Sequence, residues 1–284
     1  MELRHLKDID DFKRVVEMER EVWGVGYEDV VPVPMFAITV KRGGILMGAF
    51  DEAGMMVAFV YSLPGLKHGK PMQWSHMLGV LESYRRSGLG RELKLAQRAR
   101  ALEQGLDLIE WTYDPLQALN AHLNFRKLGV VVEEYGVNVY GESTSPLHGA
   151  TPTDRFIASW YIARPHVVRR LEAGGRSGAA SRFEVRSSDL AVLDPANRTT
   201  RRGRWLSCEG FDVPVGAERF AVDIPVGYTE MLHDAPALAH DWRLEMRALF
   251  QDAFAKGYRV VDFLLDEPSG KGRYICAPKP AQDE

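Results

Sequence analysis

The residues whose types and spacing point most directly to chemistry are Arg85-Arg86-Ser87-Gly88-Leu89-Gly90, set between the apolar stretch Met77 to Leu81 and a helical stretch from Arg91 to Glu103. A strand that ends in a glycine-containing loop and turns into a helix presents several backbone N–H groups at a helix N-terminus, where their dipoles favour a bound anion. Gly88 and Gly90 let a ligand approach the backbone closely. A short G-x-G run also marks plain tight turns, so its surroundings must decide between loop and phosphate cradle. Two titratable residues flank it. His76 precedes the loop on the same strand, and imidazole titrates in the range useful for moving protons near neutral pH. Glu110 interrupts an apolar run, and a charged residue there calls for explanation. The plainer alternatives are a hydrogen-bonded structural histidine and a solvent-facing strand position.

The elements that must position these residues alternate cleanly in the first half. A strand at Glu2 to Leu6 leads to a helix from Asp10 to Trp23, which Asp8 or Asp10 is placed to cap. A Pro-containing loop, Val31 to Pro34, precedes a short helix near Met35 to Arg42. Three strands follow, Ile45 to Phe50, Met55 to Leu63 and Met72 to Val80, with turns marked by Asp51 to Gly54 and Pro64 to Gly69. After the glycine loop, Leu89, Leu93, Ala96, Ala99 and Leu102 recur at helical spacing, with Arg91, Lys94 and Arg98 towards another face. Gly105 ends this helix. A fifth strand, Leu108 to Thr112, opens at Asp114-Pro115 into a helix from Leu116 to Leu128 that stops at Gly129. Two strands follow, Val130 to Tyr135 and Arg155 to Tyr161.

Beyond Ile162 an arginine-rich helical piece, Pro165 to Glu172, runs into a Gly/Ser/Ala stretch, Gly174 to Ser181, that reads as a linker. The last segment offers a strand at Phe220 to Val226, a helix at Ala237 to Lys256 and a strand at Tyr258 to Leu265. Its run Ala253 to Phe263 parallels Ala101 to Trp111, a helix-Gly-strand unit in both places, although chance likeness of helix-to-strand junctions is an equal explanation. No glycine loop accompanies the second copy, which has Ala237 to Trp242 in that place. The cluster Arg198, Arg201, Arg202 and Arg204 lacks interleaved aromatics and reads as a surface loop rather than a nucleic-acid site.

A chain of 284 residues accommodates one or two domains with a well-buried core. A net charge of -3 gives no global reason to expect nucleic acid or an anionic membrane as partner, so any anion site is local. Cys208 and Cys276 are the only cysteines, without the spacing of a disulfide framework or metal site, and no metal is expected. The charged N-terminus lacks a signal-type apolar core and no apolar run has the length of a membrane span, so the expected location is the cytoplasm.

The order strand, helix, helix, three strands, glycine loop, helix, strand, helix, two strands, over residues 1–162, resembles the GNAT superfamily of CoA-dependent N-acyltransferases. Its most specific piece is Leu78-Gly-Val80-Leu-Glu-Ser-Tyr-Arg85-Arg-Ser-Gly88-Leu-Gly90, similar to the superfamily's acyl-CoA signature of an apolar strand end followed by R/Q-x-x-G-x-G/A. The resemblance implies that the backbone from Arg85 and Arg86 through Ser87, Gly88, Leu89 and Gly90 to Arg91 holds the CoA pyrophosphate, with Arg91, Lys94 and Arg98 adding charge. It implies that the strand end from Met77 through Leu78 to Val80 runs beside the pantetheine arm, with the amide of Leu78 or Gly79 as oxyanion donor. Asn120-Ala-His-Leu-Asn124-Phe125-Arg-Lys-Leu-Gly129 looks like the superfamily's second CoA-contacting helix. Phe125 stands where many members carry a tyrosine that protonates the leaving thiolate, so solvent or Tyr113 would serve instead, and Asn120 and Asn124 would contact pantetheine.

The amine acceptor arrives as an ammonium and must lose a proton, for which His76 and Glu110 are the candidate bases. The longer runs Trp74 to Val80 and Glu110 to His122 resemble a GNAT subgroup linked to amino-acid N-acylation, including N-succinylation. That implies a small amino-acid-like acceptor. Arg155 is then a candidate partner for a substrate carboxylate, with an exposed strand-end arginine as the alternative. The expectation is an α/β protein of GNAT fold, a mixed central β-sheet flanked by helices with a C-terminal β-α-β extension. Its parts are a GNAT catalytic domain at 1–162, a helical piece and linker at 163–186, and an extension at 187–284 that reads as a degenerate GNAT-like half. The expected reaction moves an acetyl or succinyl group from acyl-CoA to a small-molecule amine, with no nucleic-acid or membrane partner and a homodimer left open. Peptide N-acetylation and a non-catalytic acyl-CoA-binding module are the alternatives.

Overall fold

The computed structural model describes residues 1–24, 29–141, 151–173 and 192–280; the expected linker from Gly174 to Ser181 lies outside them. The chain is an α/β protein whose contacts gather into two compact units, one holding Met1–Trp111 with Tyr161–Arg164, the other the remaining described residues.

The first unit runs β1 (Glu2–His5), α1 (Ile9–Trp23), α2 (Val33–Lys41), β2 (Ile45–Phe50), β3 (Met56–Lys67), β4 (Lys70–Val80), α3 (Leu89–Glu103) and β5 (Leu108–Tyr113), the last strand ending just inside the second unit. The strands lie in the order β1-β2-β3-β4-β5, antiparallel except for the parallel β4–β5 pair. Every residue of β2 is buried, as its continuous apolar run requires when both sheet faces are covered. On one face, Phe12, Val15 and Met18 of α1 and Phe36 of α2 form a core with Leu6, Leu46, Phe59, Tyr61 and Met77. Asp8 occupies the N-cap of α1 in an extended conformation, but its side chain makes no capping bond.

The turn expected over Pro64 to Gly69 is much tighter. β3 continues through Pro64 to Lys67, and His68 (φ 49°) and Gly69 (φ 78°) alone make the hairpin, the two left-handed residues that a tight β-turn of matching twist demands. Pro64 is tolerated because β2 has stopped pairing at Ser62, so no ladder bond on that side needs its missing N–H.

The second unit runs α4 (Ala118–Ala121, continuing as π-helical turns His122–Leu128), β6 (Val131–Gly136), β7 (Arg155–Tyr161), α5 (Pro165–Ala173), β8 (Asn197–Arg202), β9 (Trp205–Phe211), β10 (Phe220–Pro225), α6 (Tyr228–Asp234), α7 (Pro236–Ala255), β11 (Tyr258–Asp266) and β12 (Lys271–Pro278). Its strands follow the order β7-β6-β11-β12-β10, with β8 and β9 as a separate hairpin. An aromatic core ties it together, with Phe156 4.6 Å from Phe250 and 5.5 Å from Tyr274 between ring centroids. The Arg198–Arg204 cluster is therefore a β-hairpin, not a loop. Its cations are spent internally: Arg202 pairs with Glu209, Arg204 with Asp234, Arg201 donates to the Ser269 carbonyl and Arg198 to that of Glu209.

Two helix-Gly-strand segments in this unit share local geometry. α4 ends on Gly129 (φ 78°) before β6, and α7 is followed by Gly257 (φ 82°) before β11. Val132 follows Gly129 at the spacing at which Val260 follows Gly257, and these two valines are register partners. A bulge comes next in each strand, between Val132 and Glu134 and between Val260 and Asp262, before an antiparallel return strand. Opposite Tyr135 stands Phe156, and opposite Phe263 stands Tyr274. In pairing, the segment α7-β11-β12 matches α4-β6-β7, whereas β5 joins β4 in parallel.

Candidate functional site

The loop after β4 has the local geometry of an anion cradle. A 3-10 turn at Glu82–Tyr84 leads to Arg86 at φ 66° and Gly88 at φ 93°, and α3 begins at Leu89. An arginine in the left-handed region carries strain, which persists only where surrounding structure holds it. Gly88 needs its missing Cβ for conformation, and the space in front of it is open. The loop is braced by Ser87 Oγ donating to the Tyr84 carbonyl at 2.7 Å and by Tyr84 Oη donating to Asp51 at 3.2 Å. Among the described residues, the backbone N–H groups of Arg86, Ser87, Gly88 and Gly90 donate to no protein acceptor. Four unpaired donors at the head of a four-turn helix form a site of positive potential.

β4 has β5 beside it over only a short stretch. β5 pairs with it only at Gln73–Ile109 and Trp74–Glu110, so from Ser75 to Val80 the strand keeps β3 as its described neighbour. The stretch carrying the expected oxyanion donors, Leu78 and Gly79, is therefore free of the β5 ladder. Gly79 also has a packing reason to be glycine, since a Cβ would meet Phe59 Cε1 at 2.7 Å.

His76 stands at a β-bulge: Tyr61 pairs with Met77 and Ser62 with Ser75, leaving His76 as the extra residue. Bulges re-aim a side chain and recur beside active sites. The imidazole is exposed on one side and meets the Tyr61 ring edge-on at 6.2 Å. Crowding on its protein side lowers its pKa below the ordinary value, which favours the neutral ring that accepts a proton. Glu110 is not solvent-facing; it is 4% exposed and ion-paired with Lys67 at the tip of the β3–β4 hairpin. A carboxylate held by an ammonium is a poor candidate base.

The face of α3 turned to the sheet differs from the sequence expectation. Leu89, Leu93, Lys94, Gln97 and Ala101 are its buried residues, while Ala99 and Leu102 are exposed. Lys94 is therefore not on the phosphate side: its Nζ donates to Ser75 Oγ at 2.7 Å beneath the helix. Arg98 is committed to the Ile162 carbonyl at 2.8 Å, leaving Arg91 as the cation of the three nearest the loop in sequence. The inner face of α1 carries a group that the sequence reading missed. Glu19 is fully buried, accepts the Val31 N–H at 2.8 Å, and is pushed up to about 7 by burial.

In the second unit, Asn120 is exposed on α4, whereas Asn124 and Phe125 are buried, the latter edge-on to Tyr274 at 5.8 Å. These last two lie in π-helical turns, a geometry common at functional sites. Tyr113 is 6% exposed, and burial raises its pKa well above the ordinary phenol value, which makes it a weaker acid for protonating a thiolate. Arg155 is not an exposed strand-end residue. It is 7% exposed, donates to the Asp154 carbonyl at 3.1 Å and lies 5.4 Å from the Tyr140 ring centroid. Close by in this unit, Arg243 holds Asp114 through two 2.7 Å bonds, and Arg247 holds Asp154 through two of 2.9 Å. No cluster of His, Cys, Asp and Glu suited to a metal occurs among the described residues, and none of their helices is long and apolar enough to cross a membrane.

No protein-family profile matches the sequence, and no curated protein matches it. Among solved structures, the chain is similar to the ribosomal-protein-S18-alanine N-acetyltransferase from Escherichia coli at 16% identity, over 57% of this chain and 94% of that one, with a TM-score of 0.46. It is similar to an aminoglycoside 6'-acetyltransferase type Ii at 19% identity, over 58% and 100% of the two chains, with a TM-score of 0.45. An acetyltransferase of the GNAT family from Streptococcus pneumoniae aligns at 16% identity over 56% and 96%, again with a TM-score of 0.45.

Proposed function

We propose that this chain is a CoA-dependent N-acyltransferase of the GNAT type, moving an acetyl or succinyl group to the amine of a small, amino-acid-like molecule. The observation that carries this reading is the set of unpartnered N–H groups at Arg86, Ser87, Gly88 and Gly90, at the end of a strand that has lost its β5 partner. A pyrophosphate satisfies those donors, and an extended pantetheine arm takes the strand edge that β5 leaves. The sequence resemblance of Leu78 to Gly90 to the acyl-CoA signature points the same way.

In this reading the Leu78 or Gly79 amide faces the thioester oxygen, where charge develops as the amine attacks. His76 takes the proton of the acceptor ammonium. The C–N bond then forms, the C–S bond breaks, and the thiolate leaves with a proton from solvent, which thiol pKa values of about 8.5 permit. The test is thiol release from acetyl-CoA and succinyl-CoA over a panel of D- and L-amino acids and short peptides, beside direct titration with CoA. Gly88→Asp places a side chain at φ 93° and an anion where the phosphates would lie. It abolishes CoA binding with the far-ultraviolet circular dichroism unchanged; unaltered affinity would remove the loop from the site.

A further inference from the structure

Packing does not hold the glycine loop in shape. No residue from Glu82 to Gly88 is buried, and the chain meets the core only on either side of the loop. On one side the Leu81 N–H donates to the carbonyl of buried Val57 at 3.0 Å, and on the other Leu89 is buried at the start of α3. Hydrogen bonds must therefore maintain a conformation in which Arg86 stands at φ 66° and four amides have no acceptor among the described residues. That conformation opposes itself without a ligand, because gathered N–H dipoles repel one another and a left-handed arginine is strained.

Among the described residues, Tyr84 makes the one side-chain hydrogen bond from this loop to a part of the fold other than the flanking β4 and α3. Its Oη donates to Asp51 Oδ2 at 3.2 Å, across 33 residues of sequence. Arg85 Nε donates only back to the Val80 carbonyl, at 3.4 Å, and Ser87 Oγ bonds inside the loop, to the Tyr84 carbonyl at 2.7 Å. Tyr84 is thus tied at both ends, its phenol to Asp51 and its carbonyl to Ser87, with strained Arg86 between the two tied residues. The anchor is itself fixed. Asp51 Oδ1 accepts the N–H groups of Ala53 at 3.0 Å and Met55 at 2.8 Å, closing the β2–β3 turn between buried Phe50 and Met56. The turn needs that one oxygen. The second carboxylate oxygen is spent on the loop, and both partners belong to the first unit.

Resting on the acyl-CoA reading above, we propose that Tyr84 and Asp51 are a positioning pair for the pyrophosphate site, holding the loop in its ligand-ready conformation before CoA arrives. They act through the amides of Arg86 to Gly90, and neither side chain needs to touch the ligand. A loop fixed in advance takes less of the binding free energy for its own ordering. Apparent affinity then scales with the fraction of free chain in the competent conformation, and cutting the bond lowers that fraction.

The test titrates the full chain with CoA, and measures acetyl-CoA turnover with one amine acceptor, for the wild type, Tyr84→Phe, Asp51→Ser and the double variant. Tyr84→Phe removes one oxygen from a half-buried ring. Asp51→Ser keeps an oxygen for the turn amides but is too short to reach Tyr84. Each raises the Kd of CoA and the KM of acetyl-CoA by about fivefold, as loss of one hydrogen bond at a partly exposed position implies. In each, kcat at saturation and the KM of the amine are held. The double variant binds no more weakly than the weaker single one, because both cut the same bond. An unaltered Kd in Tyr84→Phe, even with a lowered melting temperature, makes the bond purely structural and overturns the proposal. Two losses that multiply in the double variant overturn it as well, and Tyr84→Phe decides alone if Asp51→Ser does not fold. Failure of the wild type to bind CoA overturns the acyl-CoA reading and this proposal with it.

Discussion

At single residues, burial rather than residue type separates the groups free to act from those already engaged. In the sequence Lys94 stands on the polar face of its helix and Glu110 interrupts an apolar strand, and both are buried. No pattern of spacing reveals this, because Lys94 lies at a helical position whose burial depends on Ser75 and Trp111, far away in the chain. Glu19 is the clearest case with a measurable consequence. Its carboxyl is raised from 4.5 to about 7 by burial, so the native state keeps a proton that the unfolded chain releases above pH 4.5. Stability attributable to this group is thus complete below pH 4.5 and is lost as pH rises towards 7, by up to about 3 kcal/mol. Glu19→Gln retains an oxygen to accept the Val31 N–H and does not titrate. Denaturant melts should therefore show the variant gaining on the wild type by about that amount between pH 4.5 and pH 8; a difference independent of pH would mean that Glu19 is ionised throughout.

Among elements, the amphipathic ones were legible and the polar ones were not. The helices α1 and α7 and the apolar strands β2, β5 and β10 stand close to where periodicity puts them. The hairpin β8–β9 escaped because Asn197-Arg-Thr-Thr-Arg-Arg202 has no apolar alternation, its residues being mostly exposed. β12 escaped because it opens on Lys271-Gly-Arg, and the bulge at His76 escaped because register depends on a partner strand. The glycine loop was legible because its requirements are local. The repeated helix-Gly-strand unit allows a comparison of two glycines that the sequence treats alike. Gly257 has open space around it, so Gly257→Ala costs only the left-handed conformation, about 1 kcal/mol. At Gly129 a Cβ would also meet Arg170 Cδ at 3.3 Å and Val167 beyond it. Gly129→Ala should lower the melting temperature more than Gly257→Ala, and the opposite order would show that the Arg170 contact yields freely.

For the whole molecule, the proposed function raises the question of how many acyl-CoA sites one chain would carry. The helix-Gly-strand segment near Gly257 matches α4-β6-β7 in its pairing, whereas the glycine loop belongs to β4 and α3, which precede that segment. The cations of the hairpin from Arg198 to Arg204 offer no substitute, because each is bonded within its own unit. With a net charge of -3, the protein has no general attraction for a polyanionic ligand, so binding depends on the amides of Arg86 to Gly90 and the arginines beside them. Calorimetric titration should therefore give one CoA per chain, with an affinity that declines as added salt screens the exposed arginines. Hydrogen exchange should slow on CoA binding at the amides of Arg86, Ser87, Gly88 and Gly90, which have no protein acceptor among the described residues. A stoichiometry of two, or one site that leaves these four amides unprotected, would place recognition in the second unit and assign the glycine loop a purely structural turn.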